Sequence, residues 1–299
     1  IEGILSNNIS ALGVDVLLVG TITTPGLSFF VKDLKVNAGA MISASHNKAS
    51  DNGIKFFNAK GYKFSEIEEE KVENIIFEHL VNKHKPQVKV KGKVTTVSDP
   101  QARYSEFLKS TVQCLDLEGI TVALDCAWGA AAPFARKVFT DLGANVVSIH
   151  DKPSGHNINE GGAINPSILR KLVLGYNADI GVAVDGDGDR GILVNEKGEI
   201  VDGDCTIAII ARSLAGENKL TKKTVVGTVM SNYGLRVSLE ELGVKLITTN
   251  IGDKYVLEAL LENGLNLGGE QSGHIIFLDH LSTPDGLLTA LQILKIMKL

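Results

Sequence analysis

The chain has 299 residues, a formal charge of −5 and 44% hydrophobic residues, a length that ordinarily makes about two or three domains with cores of their own. The acidic balance argues against general nucleic-acid affinity, which selects basic surfaces, and no segment reads as membrane-spanning. Cys114, Cys126 and Cys205 are odd in number, widely spaced and free of CxxC pairing, which favours reduced, buried thiols over a disulfide frame or a zinc site.

Strand-like and helix-like segments alternate along the chain as in an α/β protein. Apolar residues at Ile4, Leu5, Ile9 and Leu12 predict a helix at the start rather than a leader peptide, so the cytoplasm is the expected location. Strands at Val14–Val19 and Ala40–Ile42 and a helix over Glu66–Asn82 follow, then a turn-rich passage near Lys91–Pro100. The middle of the chain predicts helices at Gln101–Val112, Ala131–Leu142 and Pro166–Leu174 between strands at Ile120–Asp125, Asn145–Ile149 and Ile180–Val184. After Gly198 the alternation repeats, with helices at Cys205–Ala215, Tyr233–Leu242, Lys254–Glu262 and Leu287–Met297 and strands at Thr224–Thr228 and Lys245–Thr248. The expected fold class is three consecutive α/β domains with mixed sheets, over residues 1–98, 99–197 and 198–299, the first incomplete at its N-terminus. Similar domains recur without sequence self-similarity.

The most informative segment is Asp185-Gly186-Asp187-Gly188-Asp189-Arg190. It follows the apolar run Ile180–Val184, which places it at the carboxyl end of a buried strand, where open α/β sheets bind ligands. Three carboxylates so close repel one another unless a cation neutralises them, and an all-oxygen set suits Mg²⁺, Mn²⁺ or Ca²⁺ better than Zn²⁺. An EF-hand would also place Asp185, Asp187, Asp189 and Glu196 in ligand positions. Its sixth position is Arg190 instead of glycine, however, and the flanks Ile180–Val184 and Gly191–Asn195 read as strands.

Two further polar loops stand out. Ser43-Ala44-Ser45-His46-Asn47 follows small residues and precedes Asp51-Asn52-Gly53-Ile54-Lys55, an arrangement that exposes a hydroxyl beside an imidazole and can return a positive charge, although it is also ordinary turn chemistry. Gly269-Glu270-Gln271-Ser272-Gly273-His274 lies between short apolar runs. It offers the donor and acceptor mixture that a polyhydroxylated ligand requires, or else a plain hairpin turn.

Taken in this order along essentially the whole chain, the three loops resemble the α-D-phosphohexomutase family: its phosphoserine loop, its metal loop and its sugar loop. Val229-Met230-Ser231-Asn232, Asn250-Ile251-Gly252-Asp253-Lys254-Tyr255 and Asn157-Ile158-Asn159 add to the likeness, and the loop sequences look most like the members that act on glucosamine phosphates. The resemblance implies exchange of glucosamine 6-phosphate and glucosamine 1-phosphate through a 1,6-bisphosphate, on a phosphorylated Ser45. Asp185, Asp187 and Asp189, with the phosphate of Ser45, would hold Mg²⁺. Arg190 would stabilise phosphate oxygens, and Lys55 or His46 would move the hydroxyl proton, Lys55 being favoured. Glu270, Gln271, Ser272 and His274 would bind the sugar.

The implied partner is a phosphosugar, with no nucleic acid and no membrane, and a homodimer is compatible with the likeness. The family also has an earlier arginine-bearing loop and a fourth domain with a phosphate loop that this chain lacks, so weak turnover is expected of it. Lys48, Trp128, Lys254 and the run Gly162–Asn165 depart from the usual pattern. Mannose or glucose phosphates as substrates, and a non-catalytic sugar-phosphate binder, are the alternatives.

Overall fold

Each of three successive stretches of the chain carries an antiparallel hairpin, which in the second and third follows parallel β–α–β crossovers. The computed structural model describes residues 1–82 and 90–299. The first stretch comprises α1 (Glu2–Ala11), β1 (Val16–Leu18), α2 (Thr24–Asp33), β2 (Ala38–Ile42), β3 (Ile54–Asn58), α3 (Glu66–Asn82) and β4 (Val94–Thr96). In it β1 pairs in parallel with β4, while β2 and β3 form the hairpin, with Ile42 opposite Ile54.

The second stretch holds α4 (Pro100–Ser110), β5 (Thr121–Asp125), α5 (Ala135–Asp141), β6 (Asn145–Ile149), α6 (Ser167–Tyr176), β7 (Ile180–Val184), β8 (Gly191–Asn195) and β9 (Ile200–Val201). Its sheet runs β6-β5-β7-β8-β9, parallel from β6 to β7 and antiparallel thereafter. The third holds α7 (Gly203–Gly216), β10 (Thr224–Thr228), α8 (Tyr233–Glu241), β11 (Lys245–Thr249), α9 (Asp253–Asn263), β12 (Leu267–Gly269), β13 (Ile275–Phe277) and α10 (Gly286–Met297). Its sheet runs β11-β10-β12-β13, the same strand plan as β6-β5-β7-β8. These are three α/β domains with mixed sheets, and their likeness lies in topology rather than in sequence.

The plan puts the three polar loops in equivalent places. Ser43–Gly53 joins β2 to β3, Asp185–Arg190 joins β7 to β8 and Glu270–His274 joins β12 to β13, each at the carboxyl end of its first strand. The strands that deliver the second and third loops are buried throughout, as their unbroken Ile/Val or Leu/Gly sequences require. The first domain joins the rest through aromatic packing: Phe29 of α2 stacks on Phe107 of α4 with ring centres 4.6 Å apart, and the buried Tyr104 of α4 meets Phe134 edge-on. One continuous apolar core therefore extends from α2 through α4 to α10, so the three hairpins are held on a common frame.

Several sequence expectations need correction. Helix α2 was not anticipated, although Thr23 accepts from Gly26 N–H as its N-cap and Pro25 stands in its first turn. Strands β3 and β4 were likewise missed, and β4 lies inside the passage expected to be only turns; it pairs with β1, distant in sequence. Helix α5 starts at Ala135, not Ala131, because Pro133 disfavours the helical conformation of the residue before it and Ala131–Phe134 close as turns. Of the three thiols expected to be buried, only Cys126 is; Cys114 and Cys205 are exposed. Among the described residues, no helix is long and apolar enough to cross a membrane.

Candidate active site

The carboxylates of the β7–β8 loop are nearly shut off from solvent: Asp185, Asp187 and Asp189 are 0%, 3% and 1% exposed. Backbone bonds from four surrounding segments cause this. Thr24 N–H donates to Asp187 O at 2.8 Å, Ala130 N–H to Gly186 O at 2.8 Å, Gly286 N–H to Gly188 O at 3.1 Å and Gly191 N–H to Gly273 O at 3.0 Å. The flanking segments are strands, which disposes of the EF-hand.

One oxygen from each carboxylate lies within 4.8 Å of the other two. Asp185 Oδ2 and Asp187 Oδ1 are buried without a hydrogen-bond partner, which is costly for a polar atom unless a cation or other donor completes it. This is a buried all-oxygen donor set that fits a hard divalent metal. Burial, with the charges of Asp189 and Asp187 added, pushes the Asp185 carboxyl well above the ordinary carboxylate range. Asp189 falls well below it: burial opposes its charge, but His274, Lys63 and Lys55 outweigh that.

Cations from the other hairpins close on this loop. Lys55 of β3 donates to Asp187 Oδ2 at 2.6 Å and Asp189 Oδ2 at 3.2 Å; burial disfavours its charge, but these two carboxylates prevail and raise its pKa. Lys63 pairs with Asp253 at the start of α9 and lies 3.7 Å from Asp189 Oδ2. His274 stands between Glu270 Oε2 at 2.8 Å and Asp189 Oδ1 at 3.2 Å. Burial opposes its protonation as well, yet the two carboxylates raise its pKa to about 10. The imidazole is thus cationic at neutral pH, and Arg190 Nε, 3.1 Å from His274 Nε2, makes a like-charge contact there rather than a hydrogen bond. Asp185 Oδ2 at 3.8 Å and Asp189 offset that contact.

Ser45 sits in the left-handed region at φ 56°, and its N–H donates to Ser43 Oγ at 2.9 Å. Its hydroxyl lies 3.4 Å from His46 Nδ1, which accepts from Arg190 Nη2 at 3.0 Å. Burial first, then the positive charges of Arg190 and His274, lower the pKa of His46, so that imidazole is neutral at pH 7 and its Nδ1 is an acceptor.

Ser45, His46, Lys55, the three aspartates, Arg190 and His274 therefore form one contiguous set. Glu270 joins it through His274, and its Oε1 accepts from Gly252 N–H at 2.9 Å. Gln271 is directed elsewhere, its Nε2 3.3 Å from Asp202 Oδ2 at the N-cap of α7. Ser272 Oγ is 3.3 Å from His274 Nδ1. The hairpin-turn interpretation of residues 269–274 and the sugar-loop interpretation are compatible, since the turn presents these groups.

Three residues of the site escaped the sequence reading. Thr24 Oγ1 donates to Asp187 Oδ2 at 2.5 Å, and the cap of α2 was the signal that could have found it. Lys63 carried no motif. Asn159 was noticed only as part of Asn157-Ile158-Asn159. Of the departures, Trp128 packs at a tilt against His150 with centres 5.0 Å apart, and Lys254 pairs with Glu66 of α3 at 2.9 Å.

Three α/β domains whose hairpins meet around a buried aspartate triad and a serine loop define a class of multidomain α/β protein, and comparison with known proteins identifies it. The family described as phosphoglucomutase/phosphomannomutase, alpha/beta/alpha domains I, II and III, matches residues 1–83, 102–198 and 202–299 in turn. The chain belongs to this α-D-phosphohexomutase family. It is 47% identical over its whole length to the phosphoglucosamine mutase of Citrifermentans bemidjiense and 49% identical to that of Thermodesulfovibrio yellowstonii, and it spans 66% of the length of each. A crystal structure of a phosphoglucomutase/phosphomannomutase family protein from Burkholderia thailandensis superposes with a TM-score of 0.84 at 25% identity, over 99% of this chain and 65% of that one.

Proposed function

We propose that this chain supplies the phosphoserine, metal and sugar loops of an enzyme that interconverts glucosamine 6-phosphate and glucosamine 1-phosphate. The observation that carries the proposal is the meeting of the three hairpin loops, with the neutral His46 beside Ser45 and the buried triad joined through Arg190 and Lys55. The choice of hexosamine rests on the relatives named above, which are phosphoglucosamine mutases.

Asp185, Asp187 and Asp189 would hold Mg²⁺, which when bound draws charge from a phosphate on Ser45 and makes its phosphorus more electrophilic. The sugar hydroxyl oxygen then bonds to phosphorus as the bond from phosphorus to Ser45 Oγ breaks, giving the 1,6-bisphosphate. Arg190 stabilises the charge that spreads over the phosphate oxygens. The hydroxyl proton passes to Lys55 or His46. His46 is a neutral acceptor already. Lys55 keeps its proton while Asp187 and Asp189 face it, so it serves as the base only after giving that proton up. Glu270 orients His274, and the β12–β13 loop presents polar groups to the sugar in either orientation. In the return step the other phosphate goes back to Ser45 and restores the phosphoserine.

Intact mass and phosphopeptide mapping after incubation with a hexose 1,6-bisphosphate and Mg²⁺ test the proposal. One phosphate on Ser45 is expected; a chain that binds the sugar phosphate and stays unmodified is a binding protein instead.

A further inference from the structure

The Ser45 loop is exposed and is braced within itself only by turn contacts, among them Asn47 N–H to Ala44 O at 3.1 Å and Ser43 N–H to Gly53 O at 3.0 Å. Its firmest tie to the rest of the molecule comes from a residue more than a hundred positions away. Asn159 Nδ2 donates to Ser45 O at 2.9 Å and to Asn47 O at 2.8 Å, the two carbonyls that bracket His46. The same side chain's Oδ1 accepts from Gly186 N–H, inside the aspartate loop, at 2.7 Å. The partners leave no choice of amide orientation, since carbonyls receive only from the NH₂ and a backbone N–H gives only to the oxygen.

Two further features show that the chain is shaped around this amide. Asn159 is held at φ 65°, a region asparagine tolerates better than most residues, with its own N–H donating to Ala127 O at 2.9 Å. A Cβ on Gly186 would lie 2.8 Å from Asn159 Nδ2 and 2.8 Å from Ile158 side-chain carbons, so glycine is what lets the loop backbone approach.

We infer that Asn159 is a positioning residue that joins the serine loop to the aspartate loop, so that a phosphate on Ser45 and a cation on the carboxylates meet in one place. The inference rests on the function proposed above. It assigns Asn159 no contact with substrate; the residue acts by setting the distance between two groups that do the chemistry.

The test is a linkage measurement on the full 299-residue chain, with either serine or phosphoserine at position 45 and Mn²⁺ as the probe. If phosphate and cation share a site, each strengthens the other, and the phosphorylated wild type should bind Mn²⁺ about tenfold or more tightly than the unphosphorylated one. In Asn159→Gly, which accepts the same backbone conformation, that ratio should fall to about twofold or less, whatever the Mn²⁺ affinity of its unphosphorylated form. Asn159→Asp keeps the acceptor for Gly186 but loses both donors, and should lose the ratio too, so a folded isosteric variant is at hand if the glycine variant is unstable. Asn157→Ala, in the same segment, should keep the full ratio. Retention of the ratio in both Asn159 variants overturns the inference, as does a loss of metal affinity that is equal with and without phosphate. A wild type that binds Mn²⁺ equally in both states contradicts the proposed function itself, and the inference fails with it.

Discussion

The aspartate loop and the serine loop occupy equivalent places in two domains, yet they are built in opposite ways. The aspartate loop is almost wholly buried and held by backbone bonds from four other segments, whereas the serine loop is open and is fastened mainly through side chains, Asn159 and the Arg190–His46 pair. The contrast fits the roles proposed for the two loops. Like charges held together in a buried loop repel one another, and Lys55, Lys63 and His274 are fixed counter-charges that offset the repulsion. In the proposed function Ser45 takes up and gives away phosphate, and such a group must be reached by substrate.

This contrast can be broken at either loop. The largest effect is expected at the serine: Ser45→Ala should eliminate phosphate incorporation while leaving the unfolding temperature nearly unchanged, because a half-buried loop hydroxyl adds little to packing. Ser43→Ala should retain incorporation. A phosphopeptide map that shows modification of the Ser45→Ala chain would move the nucleophile elsewhere.

At the buried loop, Asp187→Asn removes one charge from the triad and should weaken Mn²⁺ binding by about a hundredfold in calorimetric titration. Unaltered affinity would show that the ion binds elsewhere. Thr24→Val tests the support of that loop from α2. It deletes a hydrogen bond to a charged oxygen, an interaction of about 1.5–3 kcal/mol, and should weaken Mn²⁺ binding by about tenfold; no change would mean that Asp187 is oriented without it.

A pH-dependent effect lies behind the aspartate loop. Asp285 caps α10, accepts from the Tyr104 hydroxyl and precedes Gly286, whose N–H bonds Gly188 O. Burial raises its pKa to about 6. A carboxyl raised in the folded state favours folding at pH below its unfolded value of about 4, and that advantage is lost as pH rises through the folded value, a swing on the order of 3 kcal/mol at most. Between pH 4 and pH 7 the wild type should therefore lose stability to urea relative to Asp285→Asn, whose amide does not titrate. Parallel pH profiles of the two chains would show that Asp285 stays in one state throughout.

How much of this was legible in the sequence follows from whether the signal was local. The aspartates announce themselves because repulsion between alternate carboxylates after an apolar strand is a property of neighbouring residues, and β7, β8 and β6 lie where hydrophobic runs put them. Ser45, His46 and the turn at Glu270–His274 could be named, but their convergence depends on pairing between strands far apart in the chain. Strand β3 is mixed in burial and presents Lys55 between apolar residues, so its pattern does not read as a strand until β2 is beside it. Thr24 and Asn159 are ordinary capping and turn residues to any local reading. Their roles arise from the loops they meet, 163 and 114 positions distant.

In the proposed function phosphate leaves Ser45 for a sugar with the help of a cation on the aspartates. A single-turnover measurement tests it most directly: the chain carrying phosphoserine at position 45 is mixed with glucosamine 6-phosphate, with Mg²⁺ or with a chelator, and protein mass and sugar products are followed together. Phosphate should be lost from the protein and appear as the 1,6-bisphosphate with Mg²⁺ present, and stay on the protein with the chelator. Equal transfer in both conditions, or phosphate released to water without bisphosphate, would contradict it.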